Sequence, residues 1–112
     1  MNSEKENYFD WVYQVVREIP AGRVTSYGAI AHFLGLKSGA RMVGYAMNAS
    51  HTVNNVPAHR VVNRKGLLTG KHHFATPTQM EELLRSEGIH VENDQVIDFE
   101  SRFWSPEKEL KP

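Results

Sequence analysis

The sequence contains no cysteine. That absence removes disulfides, thiolate metal sites, thiol redox chemistry and every cysteine nucleophile at once. Long apolar runs are missing too, so no membrane span or membrane partner is expected. The first residues, Met1 to Asn7, carry no signal-peptide pattern, and a cytoplasmic protein is expected. A length of 112 residues suits one domain and is too short for two independent cores. What is present is ordinary for a globular chain: 40% apolar and 23% charged residues, with five Phe, four Tyr and two Trp to build a core.

Another shortage is local. Thirteen basic and thirteen acidic residues give a formal charge of zero, which taken alone argues against a nucleic-acid partner. Yet from Ala21 to Met80 there is no Asp or Glu, while Arg23, Lys37, Arg41, Arg60, Arg64, Lys65 and Lys71 fall inside that window. The acids lie outside it: Glu4, Glu6, Asp10 and Glu18 before, and nine more after Met80. Sixty consecutive residues without a carboxylate describe a surface that faces a polyanion.

Phe9, Val12, Tyr13 and Val16 recur at helical spacing, predicting an amphipathic helix that Pro20-Ala21-Gly22 ends. After an extended link, Arg23-Val24-Thr25, Ser26 is suited to cap a second helix. Its apolar residues Ile30, Ala31, Phe33 and Leu34 lead to Gly35, a natural stop. Beyond Lys37-Ser38-Gly39 a third helix is expected from about Ala40 to Asn48, with Val43, Ala46 and Met47 inward. Helix, Gly-containing turn, helix is a helix-turn-helix pattern, and here its second helix lies in the acid-free window.

Asn54 to Pro57 reads as a loop, Arg60-Val61-Val62 as a β-rich run and Asn63 to Gly66 as a turn. Thr76 as cap, Pro77 at the first helical position and Gln79 as capping-box partner predict a further helix. Met80, Leu83 and Leu84 face inward there, and Gly88 ends it. His90 to Glu92 and Gln95 to Ile97 flank Asn93-Asp94 as a tight hairpin. Phe99, Phe103 and Trp104, ahead of Pro106, supply aromatic surface to pack the tail onto the domain.

Three stretches together carry a resemblance: Thr25-Ser26-Tyr27-Gly28, then Arg41-Met42-Val43-Gly44-Tyr45-Ala46-Met47, then Val56-Pro57-Ala58-His59-Arg60-Val61-Val62. From about residue 8 to residue 90 the chain resembles the DNA-binding domain of the O6-alkylguanine-DNA alkyltransferases. Their hallmarks are a Tyr at the start of one helix, an R-x-V-G recognition helix and a P-C-H-R-V active-site motif. Where they carry the alkyl-accepting cysteine, this sequence has Ala58. Alkyl transfer needs a thiolate, and a methyl side chain cannot act as one. A DNA-binding frame without its nucleophile is similar to the alkyltransferase-like proteins, which bind alkylated guanine without repairing it and hand it to nucleotide excision repair.

The resemblance implies a mainly α fold with short β elements, a winged helix-turn-helix-like DNA-binding domain over residues 1–112. It implies a monomeric, non-enzymatic sensor of O6-alkylguanine in double-stranded DNA, partnered by nucleotide excision repair proteins and using no cofactor or metal. Arg41 then enters the base stack as the damaged nucleotide is flipped, filling the gap with a planar cation. Gly44 lets the recognition helix approach the minor groove, where readout is degenerate and sequence preference low. Tyr27 presses on the phosphate beside the lesion, and Ser26 offers a helix end to phosphate. Arg60 is counted among the DNA-binding residues.

Tyr27, Pro57, Ala58, Val61, Lys71 and Trp104 are expected around the lesion pocket, Lys71 against the purine face. His59 and Glu87 resemble the pair that activates the cysteine and have no proton to relay here. Glu87 falls at a helix C-terminus, disfavoured for an anion by up to about 1 kcal/mol, so a partner such as His59 or Arg60 is expected.

Two stretches depart from the repair enzymes: Asn48-Ala49-Ser50-His51 replaces a Gly-Asn-Pro, and Gly70-Lys71-His72-His73-Phe74 replaces a Gly-Tyr-Ser-Gly-Gly-like loop. Neither gives metal-ligand spacing to the histidines. The competing function is a helix-turn-helix transcription regulator that binds undamaged DNA.

Overall fold

The computed structural model describes residues 4–37 and 39–110; Ser38, in the turn expected between the second and third helices, lies outside them. Helix α1, Glu4–Arg17, lays Tyr8, Val12, Tyr13, Val15 and Val16 onto the core. The chain then runs through β1, Thr25–Ser26, into α2, Tyr27–Leu34, and on to α3, Ala40–Ala49. Ser26 caps α2 as expected, its Oγ accepting from the Ala29 N–H at 3.1 Å, and Gly35 ends it with φ 71°. α2 and α3 pack on each other and on α1, and form the helix-turn-helix.

Strand β1 pairs in parallel with β2, Val61–Val62, Thr25 opposite Val61 and Ser26 opposite Val62. Successive strand residues point to opposite faces. Accordingly Val61 belongs to a cluster with Val12, Val16, Ile30, Val43 and Trp104, and Val62 to a second cluster with Val24, Leu68, Met80, Leu84, Ile89 and Val91. The single core expected from length is thus two apolar clusters joined through one strand pair.

Helix α4 begins at Gln79 and runs to Ser86, later than the Thr76-Pro77 signal predicts. Residues 76–78 form a turn instead, in which the Gln79 N–H donates to the Thr76 carbonyl, while Gln79 Oε1 accepts from the Ala75 N–H at 2.8 Å. Gln79 thus reaches back past Thr76 to Ala75, and the expected capping box is replaced by a bond that closes the turn ahead of the helix.

The hairpin is as predicted: β3, Val91–Glu92, pairs antiparallel with β4, Gln95–Val96, across Asn93 and Asp94 at φ 51° and 61°. Such angles at both central residues are those of a type I′ turn. Two short helices follow that the sequence reading did not anticipate, α5, Phe99–Arg102, and α6, Pro106–Glu109. α6 carries a legible signal: Ser105 Oγ accepts from the Lys108 N–H, and Pro106 takes the first helical position.

Candidate nucleic-acid interface

The third helix is held by its neighbour's tyrosines. Tyr8 Oη donates to the Met42 carbonyl at 2.6 Å and Tyr13 Oη to the Ala46 carbonyl at 2.7 Å. With Val43, Ala46 and Met47 buried, α3 turns the opposite face outward: Arg41, Tyr45 and Asn48 are exposed, and beyond the helix's own backbone no atom lies within 4 Å of where a Cβ on Gly44 would stand. Arg41, Gly44, Tyr45 and Asn48 fall at i, i+3, i+4 and i+7, a single helix face. A bare backbone between a cation and an aromatic ring suits close approach to a groove.

At the start of α2, Tyr27 reaches back into the fold, and burial raises its phenol pKa above the ordinary value. A Cβ added to Gly70 would stand 2.9 Å from the Tyr27 hydroxyl, so only glycine lets the loop after Leu68 lie this close. Tyr27, Met47, His51, Ala58, Val61 and Phe74 line a narrow cleft of about 10 Å³, the space of one water-sized sphere. A wider cleft of about 500 Å³ adjoins it, sharing Ala58, His51 and Phe74 and adding Ser50, His59, His73 and Gln79. Phe74 stands between the two, its ring edge-on to His51 at 4.6 Å.

Behind Ala58 lies an ionic cluster. Glu87 takes hydrogen bonds from Arg60, from His59 Nε2 at 2.8 Å and from the Gly22 N–H at 3.2 Å. Arg60 also donates to the Ile19 carbonyl at 2.8 Å. Burial alone would raise the Glu87 carboxyl; the bonds from Arg60, then His59 and Gly22, outweigh it and lower the pKa to about 2. Burial outweighs Glu87 in the other direction at His59, whose pKa is lowered. The imidazole is thus neutral near pH 7 and donates from Nε2, since a carboxylate only accepts. The expected partners of Glu87 are therefore both present, and no thiol stands at Ala58 for them to serve.

A profile for the 6-O-methylguanine DNA methyltransferase, DNA binding domain, matches residues 7–89. The chain belongs to this family. Its likeness to alkyltransferase-like members is close: it is 34% identical over 107 residues to alkyltransferase-like protein 1 of Schizosaccharomyces pombe, covering 96% of this chain and 97% of that protein. A crystal structure of the S. pombe protein in complex with damaged DNA containing O6-carboxymethylguanine superposes with a TM-score of 0.80 at 32% identity, covering 95% of this chain and all of that one. A DNA base-flipping protein of Escherichia coli is 36% identical over 105 residues, 91% of this chain and 78% of its own length. The chain spans only 44% of the methylated-DNA–protein-cysteine methyltransferase of Salmonella typhimurium, covering 69% of itself at 46% identity. A winged helix-turn-helix-like fold is common to this alkyltransferase-like chain and these relatives.

Placed on the alkyltransferase-like fold, several expected contacts change. Ser26 is not one of these: its buried hydroxyl makes the expected helix cap, and the phosphate contact expected of it belongs to the backbone N–H at the helix end. Arg60 is turned inward onto Glu87 and Ile19, and cannot serve as a phosphate contact without breaking that cluster. The Lys71 ammonium bonds Asp94 at 2.6 Å, which ties the pocket loop to the hairpin turn. Trp104 is core: it packs with Val12, Val16 and Ile30, and its backbone N–H donates to the Val24 carbonyl at 2.7 Å. Burying a large indole outweighs any reason to leave it at a pocket. Pro57 precedes Ala58 as the cap of a short 3₁₀ turn, Ala58–Arg60, and is not among the cleft residues.

Tyr45, His51, His73 and Phe74 were missed as site residues. Tyr45 had a signal in its helical spacing from Arg41, whereas the others come together only through the fold. Among the described residues no group of three or more His, Cys, Asp or Glu is arranged to hold a metal ion.

Proposed function

We propose that this chain binds O6-alkylguanine in double-stranded DNA, flips the damaged nucleotide, transfers no alkyl group and directs the lesion to nucleotide excision repair proteins. One observation carries the reading: the exposed Arg41–Gly44–Tyr45 face of the recognition helix adjoins a cleft that has Ala58 where the family's repair enzymes have their nucleophile. The likeness to an S. pombe protein crystallised with damaged DNA and to a DNA base-flipping protein of E. coli supports it. In this reading α3 enters the minor groove and Arg41 fills the stack, while Tyr27 stands at the mouth of the pocket. At about 10 Å³ the narrow cleft admits no base as it stands, so Phe74 and His51 swing aside on binding.

Binding to a short duplex with one O6-methylguanine and to its unmodified twin, at one stated salt concentration, tests the reading. A clear gain on the modified base is expected, with the methyl group still on guanine after incubation. Equal affinities, or tight binding to one particular undamaged sequence, would overturn it in favour of a transcription regulator.

A further inference from the structure

Acidic residues from the two ends of the chain meet around one apolar groove. Trp11 and Val15 of α1, Phe33 and Leu34 at the end of α2, and Leu110 after α6 line it, enclosing about 340 Å³. Val15 is buried there, whereas the Trp11 indole is 47% exposed, a large ring left out of the core that its neighbours Val12 and Val16 join. Along one edge Asp10, Gln14 and Glu18 recur at i, i+4 and i+8 of α1, all exposed, and Gln14 and Glu18 line the groove itself. Along the other, Glu107, Lys108 and Glu109 of α6 are exposed, and Glu107 meets His32 of α2 at 3.5 Å. Asp10, Glu18 and Glu109 make no ion pair among the described residues, and Arg17 is engaged by the Asn54 carbonyl.

The groove lies away from the recognition face. Phe9 flanks Tyr45 and Asn48, and Trp11, two residues on, stands about 200° farther round α1. An acid-edged surface on that side repels a duplex and stays open when one is bound to α3.

We infer that this groove docks a basic amphipathic helix of a partner protein while DNA occupies the recognition face. Aliphatic side chains of that helix, spaced at i, i+3 or i+4, pack on Trp11, Phe33 and Leu34, and its Lys or Arg side chains stand beside Asp10, Glu18 and Glu109. The inference rests on the reading of the chain as a DNA binder and supplies the surface through which a second protein meets the complex. The lining is helix side chains with no open strand edge, so a helix laid in the groove is the recognition mode that fits. Charge then selects the partner, since opposite potentials speed encounter and like ones are rejected. A second copy of this chain is a poor occupant. A two-fold contact sets the acids of one groove against those of the other, and a head-to-tail contact uses the basic window that DNA needs.

The test selects a phage-displayed library of helical peptides, varied in charge and apolar spacing, on the protein free of DNA. Recovered peptides are expected to be rich in Lys and Arg around an aliphatic stripe. One of them is then titrated into wild type, Trp11→Ala and Glu18→Lys, and into wild type loaded with an O6-methylguanine duplex. Loaded Trp11→Ala protein serves as the blank for peptide that binds the duplex itself. Affinity is expected to fall about tenfold or more in Trp11→Ala, the loss of a buried aromatic anchor, and to stay within about twofold when the duplex is present. Glu18→Lys is expected to weaken binding most at low salt, and it carries the test alone if Trp11→Ala fails to fold. Trp11→Ala is expected to keep wild-type affinity for the duplex.

A library that yields only neutral or acidic peptides, or none that depends on Trp11 or Glu18, would overturn the docking site, as would displacement of the peptide by the duplex. A concentration-dependent dimer in sedimentation that Trp11→Ala abolishes would overturn it in favour of a second copy. Absence of duplex binding by wild type, with basic peptides still held in the groove, would instead count against the DNA reading and leave the docking site supported.

Discussion

Arg60 grips the Glu87 carboxylate with both faces of its guanidinium edge: Nε lies 3.1 and 3.2 Å from the two oxygens and Nη2 lies 2.6 Å from Oε2. Through Ile19, Gly22 and His59 the pair joins the end of α1, the turn before β1, the Ala58 turn and the end of α4. The cluster is a cross-link of the scaffold beneath the cleft.

Glu87 should make stability depend on acid. Its folded pKa of about 2 lies below the unfolded value of 4.5, so its contribution is present above about pH 4.5 and is lost as the pH falls toward 2. The shift corresponds to about 3 kcal/mol. Urea unfolding of wild type and Glu87→Gln across this range should show a gap of that order at neutral pH that narrows in acid. A gap independent of pH would mean that the charge is not its source.

Arg41→Ala should weaken binding to an O6-methylguanine duplex by about 1–3 kcal/mol without lowering the thermal midpoint, because the side chain is exposed. A change in affinity within error would remove the stacking role.

The salt dependence of binding is sharpened by the structure. Of the seven basic residues in the acid-free window, Arg23 donates to the Arg102 and Phe103 carbonyls, and Arg60 and Lys71 are ion-paired. With Arg41 in the stack, Lys37, Arg64 and Lys65 remain as exposed phosphate contacts. Log affinity should then fall against log salt with a slope of about −2.7, against about −3.6 for four contacts. A flat response would contradict the polyanion-facing surface.

Thr25 is fully buried at the junction of the two apolar clusters, and its Oγ1 finds no hydrogen-bond partner. An unsatisfied buried hydroxyl costs about 1–3 kcal/mol. Thr25→Val keeps the shape and should raise the midpoint of thermal unfolding by several degrees. A lower midpoint would show that the hydroxyl is satisfied.

Gly70 has an ordinary backbone, φ −88° and ψ 5°, so alanine there is not strained by conformation. Its Cβ would nonetheless meet the Tyr27 hydroxyl at 2.9 Å. Gly70→Ala should destabilise the fold by about 1–3 kcal/mol and reduce discrimination between O6-methylguanine and guanine. Unchanged discrimination would detach Tyr27 from lesion reading.

Local chemistry was legible in the sequence. Ser26 and Gly35 bound α2 because a hydroxyl satisfies an orphan N–H and a glycine accepts positive φ, and Asn93-Asp94 closes the hairpin for the same kind of reason. α4 starts later than the sequence predicts because the Thr76-Pro77 and Gln79 signals belong to a turn that precedes the helix. Sequence does not place Trp104 in pocket or core, since an aromatic residue in a tail shows no partner until the tail is folded back along Val24.

By itself the sequence determined the family, through three motifs in order, and the absence of a thiol at residue 58 and everywhere else. It also determined a window without carboxylates, because composition needs no coordinates. Which cations in that window face outward was decided only by tertiary structure: Arg23, Arg60 and Lys71 find acceptors far away in the chain, while Lys37, Arg41, Arg64 and Lys65 stay exposed. The meeting of His51 with His73 was likewise invisible in sequence. Helix caps and turns are set by neighbours a few bonds away, whereas ion pairs and clefts are set by residues that only the packed chain brings within reach.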